Sequence, residues 1–325
     1  MKPYDLIGCG ALNLDLIYRL PDSFALWGEL GPPGSETVMA AKQRQTLQQA
    51  LLHVEPERSG GGQAANTVFA LARMGFGAAM LGRTGEDPDG EFVLAELDGA
   101  DTRYVARSGE TGCVLVLLDQ SGERRNLVWP GANDQFSPQD LPHRVPRARF
   151  AYFSSFVGEG PLEAQLALLQ RLGDDVEIAF DPGELYARKG VKRFIPFLQR
   201  CSYLFATQTE LEVMCGLAAD EALDFLLNVG VGLVVCKMGG RGARLIGRRV
   251  DLYVPPQPTE VVDVTGAGDL FAAGFLAGMM EQAGLQSAGR LGAWAAARGI
   301  AGVGRSSYPD AAAWQERLSE ERALQ

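Results

Sequence analysis

The segment best suited to chemistry is a loop of small residues that ends in an acid, Gly266-Ala267-Gly268-Asp269. An apolar run over residues 270–278 follows, so the loop is predicted to turn into a buried helix. Free N–H groups and about +0.5 of dipole charge at a helix start attract anions, and small residues let a phosphate approach the backbone. An acid at this place would repel a phosphate. Its presence is explained if it serves the reaction by taking a proton from an attacking hydroxyl. The segment therefore indicates phosphoryl transfer to an alcohol, although in isolation it is also typical of a tight turn with a first-turn aspartate.

Three further segments combine glycines or polar side chains with a predicted strand or helix. Gly60-Gly61-Gly62 precedes a helix that carries Asn66, and these glycines let the backbone approach a ligand. Asn13 and Asp15 are two positions apart, so in an extended segment they point the same way and suit a polyhydroxylated ligand. The stretch 237–242 follows an apolar strand, and its glycines would let a nucleotide lie on the backbone with the first residue, a lysine, near a phosphate. Each pattern alone is also compatible with a flexible loop, a solvated strand face or a tight turn.

Composition and missing motifs exclude several other classes of protein. The 325 residues are 46% hydrophobic and 22% charged, as in a globular enzyme, and the net charge of −10 argues against a nucleic-acid partner. Two histidines leave no basis for a histidine triad or a zinc site. The sequence has neither the G-x-x-x-x-G-K-[ST] motif of P-loop enzymes nor the G-x-S-x-G motif of α/β-hydrolases. After the first predicted strand, Gly8-x-Gly10 lacks the third glycine of a dinucleotide fingerprint, because position 13 is asparagine.

Cysteine usage and hydropathy bear on the compartment. The five cysteines form no C-x-x-C pair and most lie in apolar runs, so buried thiols in a reducing compartment are expected. The N-terminal residues contain no long apolar run, and no uncharged apolar stretch of about 18 residues occurs, so neither a secretory signal nor a membrane span is expected. These features predict a cytoplasmic protein with no membrane partner.

Predicted buried strands alternate with amphipathic helices along most of the chain, which indicates an α/β fold with a mostly parallel sheet covered by helices. Two segments break the alternation: residues 14–59, with a helix-like run over 36–53, and residues 112–130, with a hairpin pattern. We predict that these segments form a small β lid and that 1–13, 60–111 and 131–325 form the core. Strands are predicted over 5–9, 78–81, 150–153, 176–180, 203–205 and 233–236, and helices over 64–74 and 162–172.

Together, these segments resemble the ribokinase-like (PfkB) family of carbohydrate kinases over nearly the whole chain. The family's C-terminal signature matches residues 263–276, and its N-terminal signature matches 61–67 and the following 70–75. Residues 82–87, 130–133 and 181–183 also look typical of the family. The resemblance implies a three-layer α/β/α fold with a small β lid, and a kinase that uses ATP and Mg²⁺ to phosphorylate a hydroxyl of a sugar or nucleoside. A homodimer is expected by analogy with members whose lids pair.

The resemblance implies a role for each matching position. Asp269 is expected to act as the base, and the amides of Gly266, Ala267 and Gly268 to form the anion hole. Glu210 is expected to organise Mg²⁺ through water. The substrate would be held by Asn13, Asp15, Gly61, Gly62 and Asn66. The nucleotide would be held by Thr207, Lys237, Gly239 and Gly242. A monovalent cation such as K⁺, which some members bind, would be held by Asp263, Thr265 and Ser307.

The chain departs from the family pattern at two positions and leaves alternatives open. Thr207 replaces the asparagine of the usual N-x-x-E motif, which leaves the magnesium geometry open. Lys237 stands where many members have threonine, and it would either pair with phosphate or pack its stem against adenine. The run 36–53 is closer to the adenosine-kinase branch than to the short ribokinase lid, and Trp129 or residues 154–156 would wall the substrate. The alternatives are a nucleoside kinase, a non-catalytic sugar-binding member, or, from Gly8-x-Gly10 alone, a dehydrogenase.

Overall fold

The structure is a computed structural model that describes residues 3–324, and these residues form a nine-stranded and a five-stranded sheet. The strands are β1 (Tyr4–Cys9), β2 (Asn13–Arg19), β3 (Glu36–Val38), β4 (Glu57–Gly61), β5 (Ala78–Thr84), β6 (Asp101–Arg107), β7 (Gly112–Leu118), β8 (Arg124–Trp129), β9 (Ala148–Ser154), β10 (Glu177–Asp181), β11 (Cys201–Thr207), β12 (Leu233–Lys237), β13 (Ala243–Gly247) and β14 (Val250–Val254). The helices are α1 (Ala41–Ala50), α2 (Gln63–Arg73), α3 (Pro88–Ala95), α4 (Glu159–Arg171), α5 (Gly183–Ala187), α6 (Ile195–Leu198), α7 (Gln208–Cys215), α8 (Ala219–Val229), α9 (Ala267–Met280), α10 (Leu285–Gly299) and α11 (Ala311–Ala323).

The nine-stranded sheet has the order β14-β13-β12-β11-β10-β9-β1-β5-β6 and is antiparallel only where β13 meets its two neighbours. Successive residues of β9 point to opposite faces of this sheet. Phe150 and Tyr152 enter the apolar cluster under α2, α9 and α10, whereas Ala151 and Phe153 enter the cluster under α4, α7 and α8. Helices on both faces make three layers, which confirms the predicted fold class.

The order of the sheet places the site at its centre. The chain runs outward in one direction from β1 to β5 and β6, and in the other direction from β9 to β10 and β11. The carboxyl ends of the strands leave a crevice at such a reversal, where ligands bind in open α/β sheets. The six predicted strands of this sheet and the predicted helices over 64–74 and 162–172 are confirmed as β1, β5, β9, β10, β11, β12, α2 and α4.

The five-stranded sheet is formed by the two segments that break the strand–helix alternation, in the order β3-β8-β7-β2-β4. The predicted hairpin is confirmed, since β7 and β8 pair antiparallel from Cys113↔Trp129 to Leu118↔Arg124. Strand β2 begins at Asn13, which faces Gly61 at the end of β4. Asn13, Gly60 and Gly61 therefore belong to this small sheet, whereas the sequence division assigned them to the core, because the β2–β4 ladder continues one or two residues beyond the predicted boundaries.

The helix-like run predicted over residues 36–53 is wrong at both ends. Glu36–Val38 is strand β3, which pairs in parallel with β8, and helix α1 covers only Ala41–Ala50. The β-branched residues Thr37 and Val38 suit a pleated edge strand, and a partner strand far along the chain completes their hydrogen bonds. Residues 51–53 form a turn after the helix.

All five cysteines are free thiols, three of them buried, in agreement with the expectation from their apolar surroundings. Among the helices of residues 3–324, none combines the length and the hydropathy that crossing a membrane requires.

Candidate active site

The site is a cavity of about 470 Å³ between the carboxyl ends of the large sheet and one face of the small sheet. This volume lies within the range of about 300–1,000 Å³ that small-molecule pockets span. The large sheet and the helices that follow its strands contribute one wall, including Asn66, Lys237 and Asp269. The small sheet contributes the other wall, with the side chains of Asp15, Glu36, Val114, Val116, Arg124, Asn126 and Val128.

The start of α9 supplies the predicted loop of small residues. Gly266 precedes the helix in the left-handed conformation, with φ of +74°, and a methyl group there would lie 2.6 Å from the Tyr308 hydroxyl, so glycine is required. Among the described residues, the N–H groups of Gly266 and Gly268 have no hydrogen-bond partner. The N–H of Ala267 donates to the Val264 carbonyl across 3.3 Å, so an anion must compete with that carbonyl for this amide.

Asp269 lies in the first turn of α9 and is only 7% exposed. The Nδ2 group of Asn66 donates to its Oδ2 across 2.8 Å. Burial raises the pKa of Asp269 to about 7, against the opposing effects of the Asn66 hydrogen bond and the Lys237 and Arg305 charges. The carboxyl group is therefore poised between its two protonation states near neutral pH, which suits a general base.

A buried ion pair lies beside this helix start. Lys237 Nζ is 2.7 Å from the Oδ2 of Asp181, a carboxylate with no exposed surface. A methyl group on Gly268 would lie 3.1 Å from the same Nζ, so the ammonium group flanks the amides of α9. Burial lowers the pKa of Lys237, but the charges of Asp181 and Glu210 outweigh it and raise this pKa above its usual value. Lys237 is therefore a permanent cation at the place where the helix start attracts an anion.

The predicted substrate residues meet on the opposite side of Asp269. A methyl group on Gly61 would lie 2.3 Å from the carboxylate of Asp15, so Gly61 lies outside the cavity lining but makes room for that side chain. Gly62 lines the cavity at φ of +106°, and a methyl group there would meet the Ala11 carbonyl at 2.1 Å. Asn13 lines the cavity and accepts from the Asn133 amide across 2.9 Å. Burial and the charge of Glu36 raise the pKa of Asp15 to about 7, although Arg305 opposes them.

Thr207 and Glu210 line the nucleotide side of the cavity and cap α7 reciprocally. Glu210 N–H donates to Thr207 Oγ1 across 3.2 Å, and Thr207 N–H donates to Glu210 Oε2 across 2.7 Å. The threonine thus fills the same capping role that an asparagine side chain can fill. One carboxylate oxygen of Glu210 remains without a partner among the described residues.

The other two predicted nucleotide residues lie outside the cavity lining. Gly239 begins a single 3₁₀ turn and has open space around it. Gly242 adopts φ of +84°, and a methyl group there would meet the Val254 carbonyl at 2.1 Å, so backbone packing already requires glycine. Contact of these two residues with a nucleotide stays a prediction.

The three residues predicted to hold a monovalent cation have protein partners. Asp263 Oδ1 accepts from the Thr265 N–H across 2.9 Å, and the Thr265 hydroxyl accepts from Arg124 across 2.7 Å. The Ser307 hydroxyl donates to the Gly299 carbonyl across 2.7 Å. Within residues 3–324, no group of three or more His, Cys, Asp or Glu side chains is arranged to hold a metal ion. Cation binding here stays a prediction.

Some residues of the site escaped the sequence analysis. Asp181 ends strand β10, and the sequence marks it only as part of a segment typical of the family, although its place at the carboxyl end of a strand is a usable signal. Arg305 lies in residues 300–310, where no periodic pattern marks it, and it contacts Asn66 across 239 positions of sequence. Of the expected substrate wall, Ser155 and Phe156 line the cavity, whereas Trp129 lies under the guanidinium of Arg44 at 4.4 Å and does not.

Comparisons with known proteins identify the relatives of this chain. A model of the pfkB family of carbohydrate kinases matches residues 36–309. An uncharacterized sugar kinase of Archaeoglobus fulgidus is 30% identical over 238 residues, which are 71% of this chain and 94% of that protein. An ATP-dependent ribose-1-phosphate kinase of Halopiger xanaduensis is 31% identical over 274 residues, 81% of this chain and 88% of that protein. The crystal structure of a probable sugar kinase from Rhizobium etli superimposes with a TM-score of 0.88 at 24% identity and covers 98% of this chain and 100% of that one, which shows the same fold.

Proposed function

Because the chain belongs to the pfkB family of carbohydrate kinases, we propose that it transfers the γ-phosphoryl group of ATP to a hydroxyl of a sugar or nucleoside. One observation carries this proposal: the buried Asp269 stands between an anion-attracting helix start and a cluster of hydroxyl-binding side chains in a single cavity. An acid in that position serves a reaction that joins an alcohol to a phosphoryl group.

The reaction divides between Asp269 and the cationic groups around the start of α9. The carboxylate of Asp269 takes the proton of the substrate hydroxyl as that oxygen bonds to the γ-phosphorus and the bond from phosphorus to the ADP oxygen breaks. The N–H groups of Gly266 and Gly268 and the ammonium group of Lys237 stabilise the negative charge on the phosphoryl and leaving oxygens. Removal of one such donor from a site of this kind costs about 10²–10³-fold in kcat.

The nucleotide side suits a magnesium ion held mainly by phosphates and water. Mg²⁺ keeps several waters and takes one or two carboxylates, and it would neutralise phosphate charge when bound. Glu210 lines the cavity and has one carboxylate oxygen that is unpartnered within the described part of the chain. Its reciprocal capping hydrogen bonds with Thr207 hold it at the start of α7. The replacement of asparagine by Thr207 therefore leaves the support of Glu210 in place and weakens the case for a non-catalytic sugar-binding protein.

The lining of the cavity favours a sugar over a purine nucleoside. Among the described lining residues only Phe156 is aromatic, and it stacks on Phe136 with 1% of its own surface exposed. A purine base needs an apolar or aromatic platform to stack on, whereas the small sheet presents Glu36, Arg124 and Asn126 between valines. This polar wall suits hydroxyl groups, and Arg124 also offers a cation to a substrate with an anionic group, such as ribose 1-phosphate.

The small sheet acts as a lid in this proposal, because its residues cover the cavity opposite Asp269. A homodimer is expected only by analogy with family members whose lids pair. Light scattering during gel filtration measures the mass of the particle and tests that expectation.

The test is ADP release measured over a panel of acceptors: ribose, deoxyribose, ribose 1-phosphate, fructose, keto-deoxy sugar acids, adenosine and other nucleosides. We expect sugar-dependent ADP release that falls by about 10²–10⁴-fold in Asp269→Asn, because general-base help has about this size. Asp310→Asn, at the exposed start of α11, is the matched control and should retain wild-type turnover. Sugar binding without ADP release would contradict the kinase proposal and favour the non-catalytic alternative.

A further inference from the structure

Arg305 is a buried arginine that contacts the site without facing its cavity. It is 6% exposed, and its guanidinium lies over the Phe69 ring at 5.0 Å. Its Nε and Nη2 groups donate to the same atom, Asn66 Oδ1, across 3.1 and 3.0 Å. Its Nη1 donates to the Glu96 carbonyl across 2.9 Å. Every nitrogen of the guanidinium is therefore held by the protein.

This contact decides which way the Asn66 amide points. A guanidinium has only hydrogen-bond donors, so it donates to the amide oxygen and cannot form a hydrogen bond with the amide nitrogen. With Oδ1 turned toward Arg305, Nδ2 must face the opposite way, where it donates to Asp269 Oδ2 across 2.8 Å. The reversed amide would place N–H groups against the guanidinium and an oxygen against the carboxylate, and both contacts are repulsive.

We propose that Arg305 is a positioning residue for phosphoryl transfer, which fixes the Asn66 amide so that one N–H holds Asp269 and the other is presented to the substrate. This inference rests on the proposed kinase function. Since Oδ1 is occupied twice, Asn66 donates to the substrate and does not accept from it. The substrate oxygen beside Asn66 must therefore accept a hydrogen bond.

The effect on Asp269 has a definite sign. The charged or titratable groups that face this carboxylate are Asp15 of β2, Tyr152 of β9, Asp181 of β10, Lys237 of β12, and Arg305 and Tyr308 from residues 300–310. Loss of Arg305 removes a positive charge and frees the Asn66 amide, while the two neighbouring carboxylates remain. Ionised Asp269 then becomes less stable, so the acidic limb of activity must move to higher pH.

The kinetic test compares kcat/KM against pH for the wild type, Arg305→Met and Arg305→Lys. We expect the acidic limb of Arg305→Met to rise by about one pH unit, which lowers kcat/KM about tenfold at pH 6. Arg305→Lys keeps the positive charge and one hydrogen-bond donor, so its acidic limb should shift by less than half of the shift in Arg305→Met. Arg290→Met, which removes the partly exposed partner of the buried Glu321 away from the site, is the stability control and should leave the acidic limb in place. Superimposable limbs for Arg305→Met and the wild type would overturn the proposal.

A second measurement is independent of turnover. The chain has five asparagines, so [¹⁵N]asparagine labelling yields few side-chain amide signals, and the Asn66 pair is identified by its absence in Asn66→Ala. In the wild type these signals should titrate with Asp269, and in Arg305→Met, or in Arg305→Lys if the first variant does not fold, they should move or broaden. Unchanged Asn66 signals would refute the role of Arg305. If no acceptor is phosphorylated, the kinase proposal fails while this titration still decides whether Arg305 orients Asn66.

Discussion

Replacement of Lys237 by methionine should impair both stability and catalysis, because we expect its ammonium group to neutralise a buried carboxylate and to contact the transferred phosphoryl group. In the folded protein its ammonium group neutralises Asp181, which has no exposed surface, across 2.7 Å. A buried carboxylate left without its partner typically costs about 3–5 kcal/mol of the free energy of unfolding. For a chain of this size such a loss lowers Tm by on the order of 10 °C. The same ammonium flanks the start of α9, so the variant should also lose about 10²–10³-fold in kcat at saturating ATP and acceptor.

The double variant Lys237→Met/Asp181→Asn distinguishes the two effects. The neutral amide still accepts from the Gly183 N–H, as Asp181 does across 3.2 Å, and no longer needs a cation. We expect it to recover most of the lost stability and almost none of the lost kcat, because the charge beside the phosphoryl group is still missing. Denaturant unfolding measures the first quantity and coupled ADP release the second.

Lys189→Met removes a lysine of similar exposure that pairs with Glu159 outside the site, and its kcat should not change. A kcat close to wild type in Lys237→Met would refute the phosphoryl contact. Recovery of both kcat and stability in the double variant would show that Lys237 acts only by keeping Asp181 neutralised.

Four further predictions follow from the geometry. With a pKa of about 7 for Asp269, kcat/KM should fall about tenfold per pH unit below that value; a flat profile down to pH 5 would contradict Asp269 as the base. Since this folded pKa lies above the unfolded value, the ionised group destabilises the fold more as pH rises toward 7, so Asp269→Asn should be about 2 kcal/mol more stabilising at pH 8 than at pH 5 in urea unfolding. Gly62→Ala places a methyl group 2.1 Å from the Ala11 carbonyl at a positive φ, so KM for the acceptor should rise well over tenfold. Gly284→Ala, also at positive φ but in open space outside the cavity lining, should destabilise without that rise. Thr207→Ala removes a helix cap, so it should cost about 1 kcal/mol of stability and raise the Mg²⁺ concentration for half-maximal activity, whereas Thr207→Asn should preserve both. Equal Mg²⁺ dependence in the wild type and both variants would show that Glu210 does not help to bind Mg²⁺.

The local sequence pattern was sufficient to predict six of the nine strands of the large sheet and the start of α9. Each of the six predicted strands is a short apolar run between turn residues, and its residues on both faces are buried, so the same pattern specifies a strand wherever it lies. Gly266 and Asp269 were recognisable because a backbone requirement and a charge at a helix start are both local properties. The error over 36–53 arose where a short segment has weak preferences and strand β8 supplied its hydrogen bonds.

By itself, the sequence determined the α/β architecture, the position of the proposed base Asp269 and the identity of most side chains around it, because strand periodicity, helix-start chemistry and glycine conformation depend on neighbours a few residues apart. Only the tertiary structure decided what those side chains do to each other. It paired Lys237 with Asp181 across 56 positions and joined Arg305, Asn66 and Asp269 across more than 200. The pKa of Asp269 and the orientation of the Asn66 amide depend on burial and on charges brought together by packing, and such quantities have no counterpart in the order of residues along a chain.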